Sequence, residues 1–570
     1  MRSRAADSAD PWSRLQAGLP ALPWLAAALG VIPLVLHGFP QGHDWSFELL
    51  RVSEYQAAWA AAQRPPYWAG NLYGGYGSPV FLFYAPLFSA AASAAGWLAG
   101  SVPRGATAVL VAASLASVPA VRAFLAGLLD ALGVRSPAAV RLGTVCFLLH
   151  PYLLCDKWAR NADAEFLALC LLPVPLAGVT AAARAPLRAF AAISAGLAGV
   201  ALAHNLTAGV AVAAVLASAL ALHGRGTRIT WAAVAGGLAA GLALSAFFWL
   251  PVLALRDWIR PEELVRGKFD YRSQFQSLTD VFGYGRFFSV GLVTPALVLA
   301  AGPLSAGAAR GTRRMLAWLC AAALGLVFLV IPASAPVWAA MPGLPLFQFP
   351  WRMLGPLGLV SAGLMALVTA CALARRSART RALFELGLAA GLALNAVPML
   401  RTYRPLPPEA QAAVAAFASP SAVRESLASV TVGDEYLPRA SDPNVWRLER
   451  PSDGPVVAAT GATRIETLED GGTRILLATH SPLRARLRLA RFAFPGWRAE
   501  IDGAPAEWRP SPLGTVELEV PAGDAQVRLE LAPPASRVAG LWISGISLGV
   551  WALGLTLASR RARASIASQP

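Results

Sequence analysis

GHDWSFELLR, residues 42–51, sets the reading of the whole chain. It follows the first long apolar run and places His43, Asp44, Glu48 and Arg51 within ten residues, with Glu54 just beyond. An aromatic, Gly/Pro-rich stretch comes next, PPYWAGNLYGGYGSPVFLFYAPL (65–87). Charged side chains at the edge of a membrane are costly and mark sites, and aromatic surfaces with a few polar groups suit ligands. The competing reading is a solvated loop between two helices.

Outward from that stretch, composition names the solvent. The chain has 570 residues, 56% hydrophobic and 14% charged, with mean hydropathy +0.52. Soluble domains carry about 25% charged residues, so this is a membrane protein. The net charge of +16 does not point to nucleic acid, because the arginines sit in short loops between apolar runs and only Lys157 and Lys268 are lysines. That distribution follows membrane topology, not a phosphate-binding face. The five cysteines (Cys146, Cys155, Cys170, Cys320, Cys371) lie in or beside apolar runs without metal-type spacing, so neither a disulfide framework nor a cysteine zinc site is expected. The first apolar run lacks a clean cleavage site and reads as a retained helix.

A membrane helix needs about 20 mainly apolar residues. Expected spans are 19–38, 105–129, 138–155, 164–183, 187–203, 205–223, 229–254, 287–306, 315–332, 353–374, 382–400 and 537–559. With the N-terminus (Arg2, Arg4, Arg14) inside and 79–99 lying along the surface, the arginine clusters fall on the inner side. These are Arg135/Arg141, Arg184/Arg188, Arg225/Arg228, Arg310/Arg313/Arg314, Arg375/Arg376/Arg379/Arg381 and Arg560/Arg561/Arg563, with Asp130 the one acid among them. A crossing at 79–99 would turn every cluster outward. Twelve spans plus an interfacial or re-entrant helix are therefore expected, with both termini cytoplasmic.

This topology collects the unusual residues on the outer face. They are His43, Asp44 and Glu48; the turn DKWARNADAEF, with Asp156, Lys157, Arg160, Asp163 and Glu165; the break at His204–Asn205; the charged loop 255–286 from RDWIRPEELVRGKFDYR to GYGR; and LPLFQFPWR, ending at Arg352. Singly, Arg352 could snorkel and His204 could cap a helix. Together, five segments bring polar groups to one face, as a catalytic or transport site requires. Trp45, Tyr67, Trp68 and Tyr73 could stack on sugar rings, although anchoring the loop at the interface is favoured.

Residues 401–536 change character. Period-two alternation in RILLATH (474–480), RARLRLARFAF (484–494), TVELEV (515–520) and QVRLEL (526–531), with turns such as EDGG, PGW, DGAP and PAGD, reads as an antiparallel β-sandwich. Segment 405–430 is more helical. The expected organisation is a transmembrane domain at 1–400 (first outer loop 39–104), an extracytoplasmic β domain at 401–536 serving as cover or acceptor-binding module, and a final helix with a basic tail at 537–570.

Several stretches carry a resemblance: GHDWSFELLR, YGGYGSPVFLFYAPL, HPYLLCDKWARNADAEFLAL, the AHNLT break, FQFPWRML and FPGWRAEIDG. Their order resembles the GT-C glycosyltransferase fold. More narrowly it is similar to bacterial membrane proteins carrying a "6-pyruvoyl-tetrahydropterin synthase-related" domain and to the YfhO-like group; no His-rich zinc site of a small pterin enzyme is present. The resemblance implies a polyprenyl-phosphate-linked sugar donor, transfer on the extracytoplasmic face of the bacterial inner membrane, and a glycan, lipid or protein acceptor of the cell envelope. It implies the role of base or site organiser for Asp44, with Glu48 as a weaker candidate, and matches Asp163 and Glu165 to the acidic motif of the second loop. It places Arg160 and Arg352 near the lipid phosphate, with His43, His204, Trp45 and Tyr76 as further substrate contacts. Some GT-C members use a divalent metal, and the acids here could ligate one.

Two other readings compete. A lipid or polysaccharide transporter would show mid-membrane charges and internal repeats, and neither is evident. A non-catalytic envelope assembly protein would have no need of the outer acids.

Overall fold

The computed structural model describes residues 19–567 except 225, 284–287, 418, 427, 431–433 and 450–453. Arg2, Arg4, Arg14, Arg225 and the end of GYGR (284–286) thus lie outside the described residues. The chain folds as a bundle of apolar helices through Leu400, then strands between Val456 and Leu531, then one last long helix.

Among the described residues, nine helices are long and apolar enough to cross a membrane, and eleven if two bent pairs each count as one span. It is a multi-pass membrane protein. The bent pairs are Pro137–Leu148 with Pro151–Arg160, and Arg228–Leu244 with Ala246–Trp258. The expected span 287–306 is helical only over Val293–Ser305, thirteen residues, short of a crossing of about 20. The stretch 79–99 breaks at Tyr84 into two helices, Val80–Phe83 and Leu87–Ala99, each short of the about 20 residues of a crossing. Pro350–Leu373 and Asp163–Ala181 form the centre of the bundle, each 78% buried, whereas Ala535–Ala558 is 6% buried and sits at the rim. Small residues let the central helices approach closely: a Cβ on Gly143 would meet the Ala362 carbonyl at 2.7 Å, and one on Gly358 would meet the His150 ring at 3.0 Å.

The β region is a two-sheet antiparallel sandwich. Its strands are β1 (Val456–Ala459), β2 (Arg464–Asp470), β3 (Arg474–Ser481), β4 (Ala485–Phe492), β5 (Trp497–Ile501), β6 (Ala504–Ala506), β7 (Trp508–Pro510), β8 (Thr515–Val520) and β9 (Gly523–Leu531). One sheet runs β1-β4-β8-β7 and the other β2-β3-β9-β5-β6. Alternation in the sequence sends Leu487, Leu489, Val527 and Leu529 inward, and all four are buried. The DGAP hairpin turns on Asp502 and Gly503, at φ 52° and 79°, the paired left-handed geometry of a tight β-hairpin.

The sandwich core does not end at its own strands. Trp68 packs on Phe494 and Trp497, Tyr73 on Trp446 and Phe492, and Tyr76 on Phe492. The Tyr67 hydroxyl donates to the Leu531 carbonyl at 2.7 Å, and that of Tyr76 to the Glu449 carbonyl at 2.9 Å. This corrects the reading of these tyrosines and Trp68 as sugar platforms or membrane anchors, because each is a buried contact between the first loop and the sandwich. Gly70 and Gly472 touch backbone to backbone, with no room for a Cβ at either.

A buried polar chain runs through the same contact. The Asn71 amide groups donate to Glu54 at 3.0 and 3.2 Å. Arg424 Nε donates to Asn71 Oδ1 at 3.2 Å, and Arg424 and Arg491 both bind Asp470. Arg491 also donates to the Gly75 carbonyl at 2.8 Å. Burial pushes the Glu54 carboxyl up, opposed by its hydrogen bonds to Asn71 and by Arg424. Asp470→Ala would strand the Arg491 charge, which is 1% exposed. Breaking such a pair costs about 3 kcal/mol or more, so the variant is expected to unfold several degrees lower in a thermal melt of detergent-purified protein, and an unchanged melt would contradict this reading of the contact.

Candidate functional site

Backbone geometry brings the first two charged segments together. The N–H of His43 donates to the Ala159 carbonyl at 2.9 Å, that of Asp44 to the Arg160 carbonyl at 2.8 Å, and that of Gly42 to Asn161 Oδ1 at 2.5 Å. Gly42 makes this approach possible: a Cβ there would lie 2.7 and 2.8 Å from the carbonyls of Trp158 and Ala159, and closer still to Asn161.

The second segment is more helical than its sequence suggests. Asp156–Arg160 is a π-helical turn that continues Pro151–Cys155, and Asn161, at φ 55°, ends it before helix Asp163–Leu171 begins. Such wide turns recur at functional sites, and asparagine tolerates the left-handed conformation. The expected loop DKWARNADAEF is therefore almost wholly helical.

A cavity of about 650 Å³ opens beside this junction. His43, Asp44, Glu48, Arg160, His204 and Arg352 all line it, together with Arg51, Arg256, Lys268 and Tyr84. Asp44 stands at the start of helix Trp45–Ala60, 38% exposed, and its carboxylate meets His43 Nδ1 at 2.6 Å. One turn on, Glu48 is buried against Arg51 at 3.0 Å and accepts from the Tyr84 hydroxyl at 3.1 Å. Burial raises the Glu48 carboxyl, Arg51 opposes that rise, and Asp44 adds to it. The Arg51 guanidinium lies 3.6 Å over the Tyr84 ring.

Arg160 and Arg352 converge on Glu165. Arg160 binds Asp156, donates to Glu165 at 3.3 Å and to the Tyr152 hydroxyl at 3.1 Å, and stacks 4.3 Å over Trp351. Arg352 Nε lies 3.3 Å from Glu165 as an ion pair without hydrogen-bond alignment, and its Nη1 donates to Phe347 and Gln348 at 2.9 and 3.1 Å. Arg352 is thus held in place rather than snorkelling. An aromatic stack of Phe288, Trp351 and Phe349, with centroids 4.1 and 4.8 Å apart, lines the same wall.

The remaining expected residues separate. Asp163 and Glu165 lie behind the cavity wall, not on it. Asp163 is fully buried, with the Asn161 amide beside it, neither oxygen in a well-formed hydrogen bond, and Glu48, Arg51 and Asp44 within electrostatic reach. His204 both caps helix Asn205–His223 through Thr207 and lines the cavity. Trp45 packs against the bundle core, and Tyr76 sits in the sandwich contact, so neither is a wall residue of the cavity. Among the described residues no group of three or more His, Cys, Asp or Glu side chains is placed to hold a metal ion. Sequence reading named Arg51 and the loop carrying Arg256 and Lys268 without assigning any of them to the site, and it missed Tyr84, Glu435 and Tyr436. Arg51 and Tyr84 follow Glu48 at helical and loop spacing, but nothing in the sequence pairs them with it.

Gly42→Ala is expected to force the two segments apart, at about 1–3 kcal/mol, whereas Gly209→Ala, with nothing within 4 Å of its new Cβ, should leave the thermal transition in place. Equal melts for the two variants would contradict the close approach.

No family model matches the chain, and no curated protein does. Solved structures similar in part include the arabinofuranosyltransferase AftD from Mycobacteria, at 20% identity over 68% of this chain with TM-score 0.44. The apo oligosaccharyltransferase of Archaeoglobus fulgidus is similar over 75% of this chain, at 12% identity and TM-score 0.41. The chain covers 27% of the mycobacterial enzyme and 61% of the archaeal one.

Proposed function

We propose that this chain is a membrane glycosyltransferase of the GT-C kind, moving a sugar from a polyprenyl-phosphate donor to an acceptor hydroxyl on the extracytoplasmic face. One observation carries the reading. A single cavity joins a partly exposed carboxylate, Asp44, to two fixed arginines, Arg160 and Arg352, supplied by separate segments. The sequence resemblance to GT-C and YfhO-like chains supports the same conclusion, and the arginine distribution supports cytoplasmic termini in a bacterial inner membrane.

In the reaction the acceptor oxygen attacks the anomeric carbon and forms the new glycosidic bond. The bond from that carbon to the phosphate oxygen breaks, and the hydroxyl proton passes to the Asp44 carboxylate, the role of a general base. Polyprenyl phosphate leaves with the bonding electron pair. Its growing charge needs oriented donors, which Arg160 and Arg352 provide as planar guanidinium groups, with Arg256 and Lys268 at the rim. Glu48, buried and paired with Arg51, organises the start of its helix. Glu165 acts through the two arginines by holding both in place. The Phe288–Trp351–Phe349 stack offers an apolar wall to the isoprenyl chain.

The test is donor consumption by purified protein across a panel of polyprenyl-phosphate sugars. Asp44→Asn is expected to lower turnover by about 10²–10⁴ with an unchanged thermal transition, and full activity in that variant would remove Asp44 as the base. Arg352→Ala is expected to raise the donor KM, and an unaltered KM would remove it from the phosphate site. Folded protein that neither consumes nor binds any donor would return the transporter or assembly reading.

A further inference from the structure

The cavity has a wall that comes from beyond the helical bundle. Val430, Glu435 and Tyr436 line it beside Asp44, Arg51 and Arg352, although they belong to the segment that leads into the sandwich. The geometry points to the turn Asp434–Leu437 as the acceptor side of the site, where Glu435 and Tyr436 recognise hydroxyl groups of an uncharged, polyhydroxylated acceptor. This rests on the transfer reading and names its second substrate class.

The turn is built to hold these two side chains still. Asp434 adopts φ 53°, and its carbonyl accepts from the Leu437 N–H at 3.0 Å. Leu437 is fully buried beneath it. On either side of Tyr436 the segment is zipped to the loop after Trp258. The Arg260 N–H donates to the Glu435 carbonyl at 3.2 Å, and the Arg439 N–H donates to the Trp258 carbonyl at 2.8 Å. Arg439 clamps Glu262 with two hydrogen bonds of 3.0 and 2.7 Å. Tyr436 stacks on Phe83 at 6.1 Å and 15°. Its phenol is pushed up by burial and by Glu435, and drawn down by Arg51 and Arg352, so it faces the same charges as the donor site.

Charge type separates the two substrates. Of the ionic groups on the wall, the cations Arg51, Arg160, Arg256, Lys268 and Arg352 suit a lipid phosphate. A carboxylate brought in by a different element repels phosphate and is acceptor-only, which matches the O–H donors of a neutral glycan. Tyrosine adds a ring face and a hydroxyl for the same kind of ligand.

The experiment uses full-length protein, a polyprenyl-phosphate sugar at saturation, and octyl glycosides of mannose, galactose, glucose and arabinose as acceptors. Glu435→Gln is expected to raise the acceptor KM at least tenfold and Tyr436→Phe several-fold, while the donor KM stays within twofold. An unchanged acceptor KM in both variants, or acceptor and donor KM rising together, would overturn the proposal. Equilibrium binding of the same glycosides, read by tryptophan fluorescence, separates it from the transfer reading. A parent that binds a glycoside but consumes no donor, with binding weakened in Glu435→Gln, would sink the transfer reading and leave the acceptor wall standing. A parent that binds no glycoside would overturn the wall.

Discussion

Everything on the charged side of this protein depends on how closely two stretches of backbone approach, 42–44 against 159–161. Three N–H groups of one segment are satisfied by the other, so the two stretches serve each other's main-chain donors and acceptors. The contact is possible because residue 42 has no side chain. It fixes the start of the helix that carries Asp44 and Glu48 relative to the π-helical turn that carries Arg160. Carboxylate and guanidinium are thereby set by main-chain geometry, which is far stiffer than long side chains reaching across a gap.

The sandwich acts on the same helix from its other end. Glu54, two turns beyond Glu48, begins the polar chain through Asn71, Arg424 and Asp470 to Arg491. Around it the loop tyrosines and Trp68 complete the sandwich core. Burying this many polar groups is stabilising only when each has a partner, so the contact rewards one relative placement of loop and sandwich. Helix Trp45–Ala60 is held by the bundle at its first turn and, through Glu54, by the sandwich just past its middle.

Period and charge carried most of the architecture into view. Apolar runs of span length and strict alternation are local signals, and the helices and strands lie close to where those signals put them. The segments around Asp44, Arg160, His204 and Arg352 were also legible, because charge beside a membrane is rare enough to stand out. The aromatic stretch 65–87 was not: tyrosine and tryptophan between glycines look alike whether they meet a sugar, a lipid headgroup or another part of the chain. The DKWAR segment was expected as a turn outside the helices, whereas it is a wide helical turn in which Asp156 pairs with Arg160 and Lys157 reaches the Gly30 carbonyl. Glu435 left no local trace, since an acid in an irregular segment gains meaning only from the loop it is zipped against.

The Tyr67 hydroxyl bonds a carbonyl 464 residues further along, and that distance dictates an order of assembly. While the chain is being synthesised, the first loop must wait on the membrane surface with its aromatic side chains uncovered until the last strand has emerged. Arg537, at the head of the final helix, then hooks the carbonyls of Pro65 and Pro66 and closes the circuit from the other side. Contacts so distant in sequence form slowly. The junction of loop and sandwich is therefore a late product of biogenesis, and a chain broken off before the sandwich would leave the aromatic side chains of the first loop uncovered.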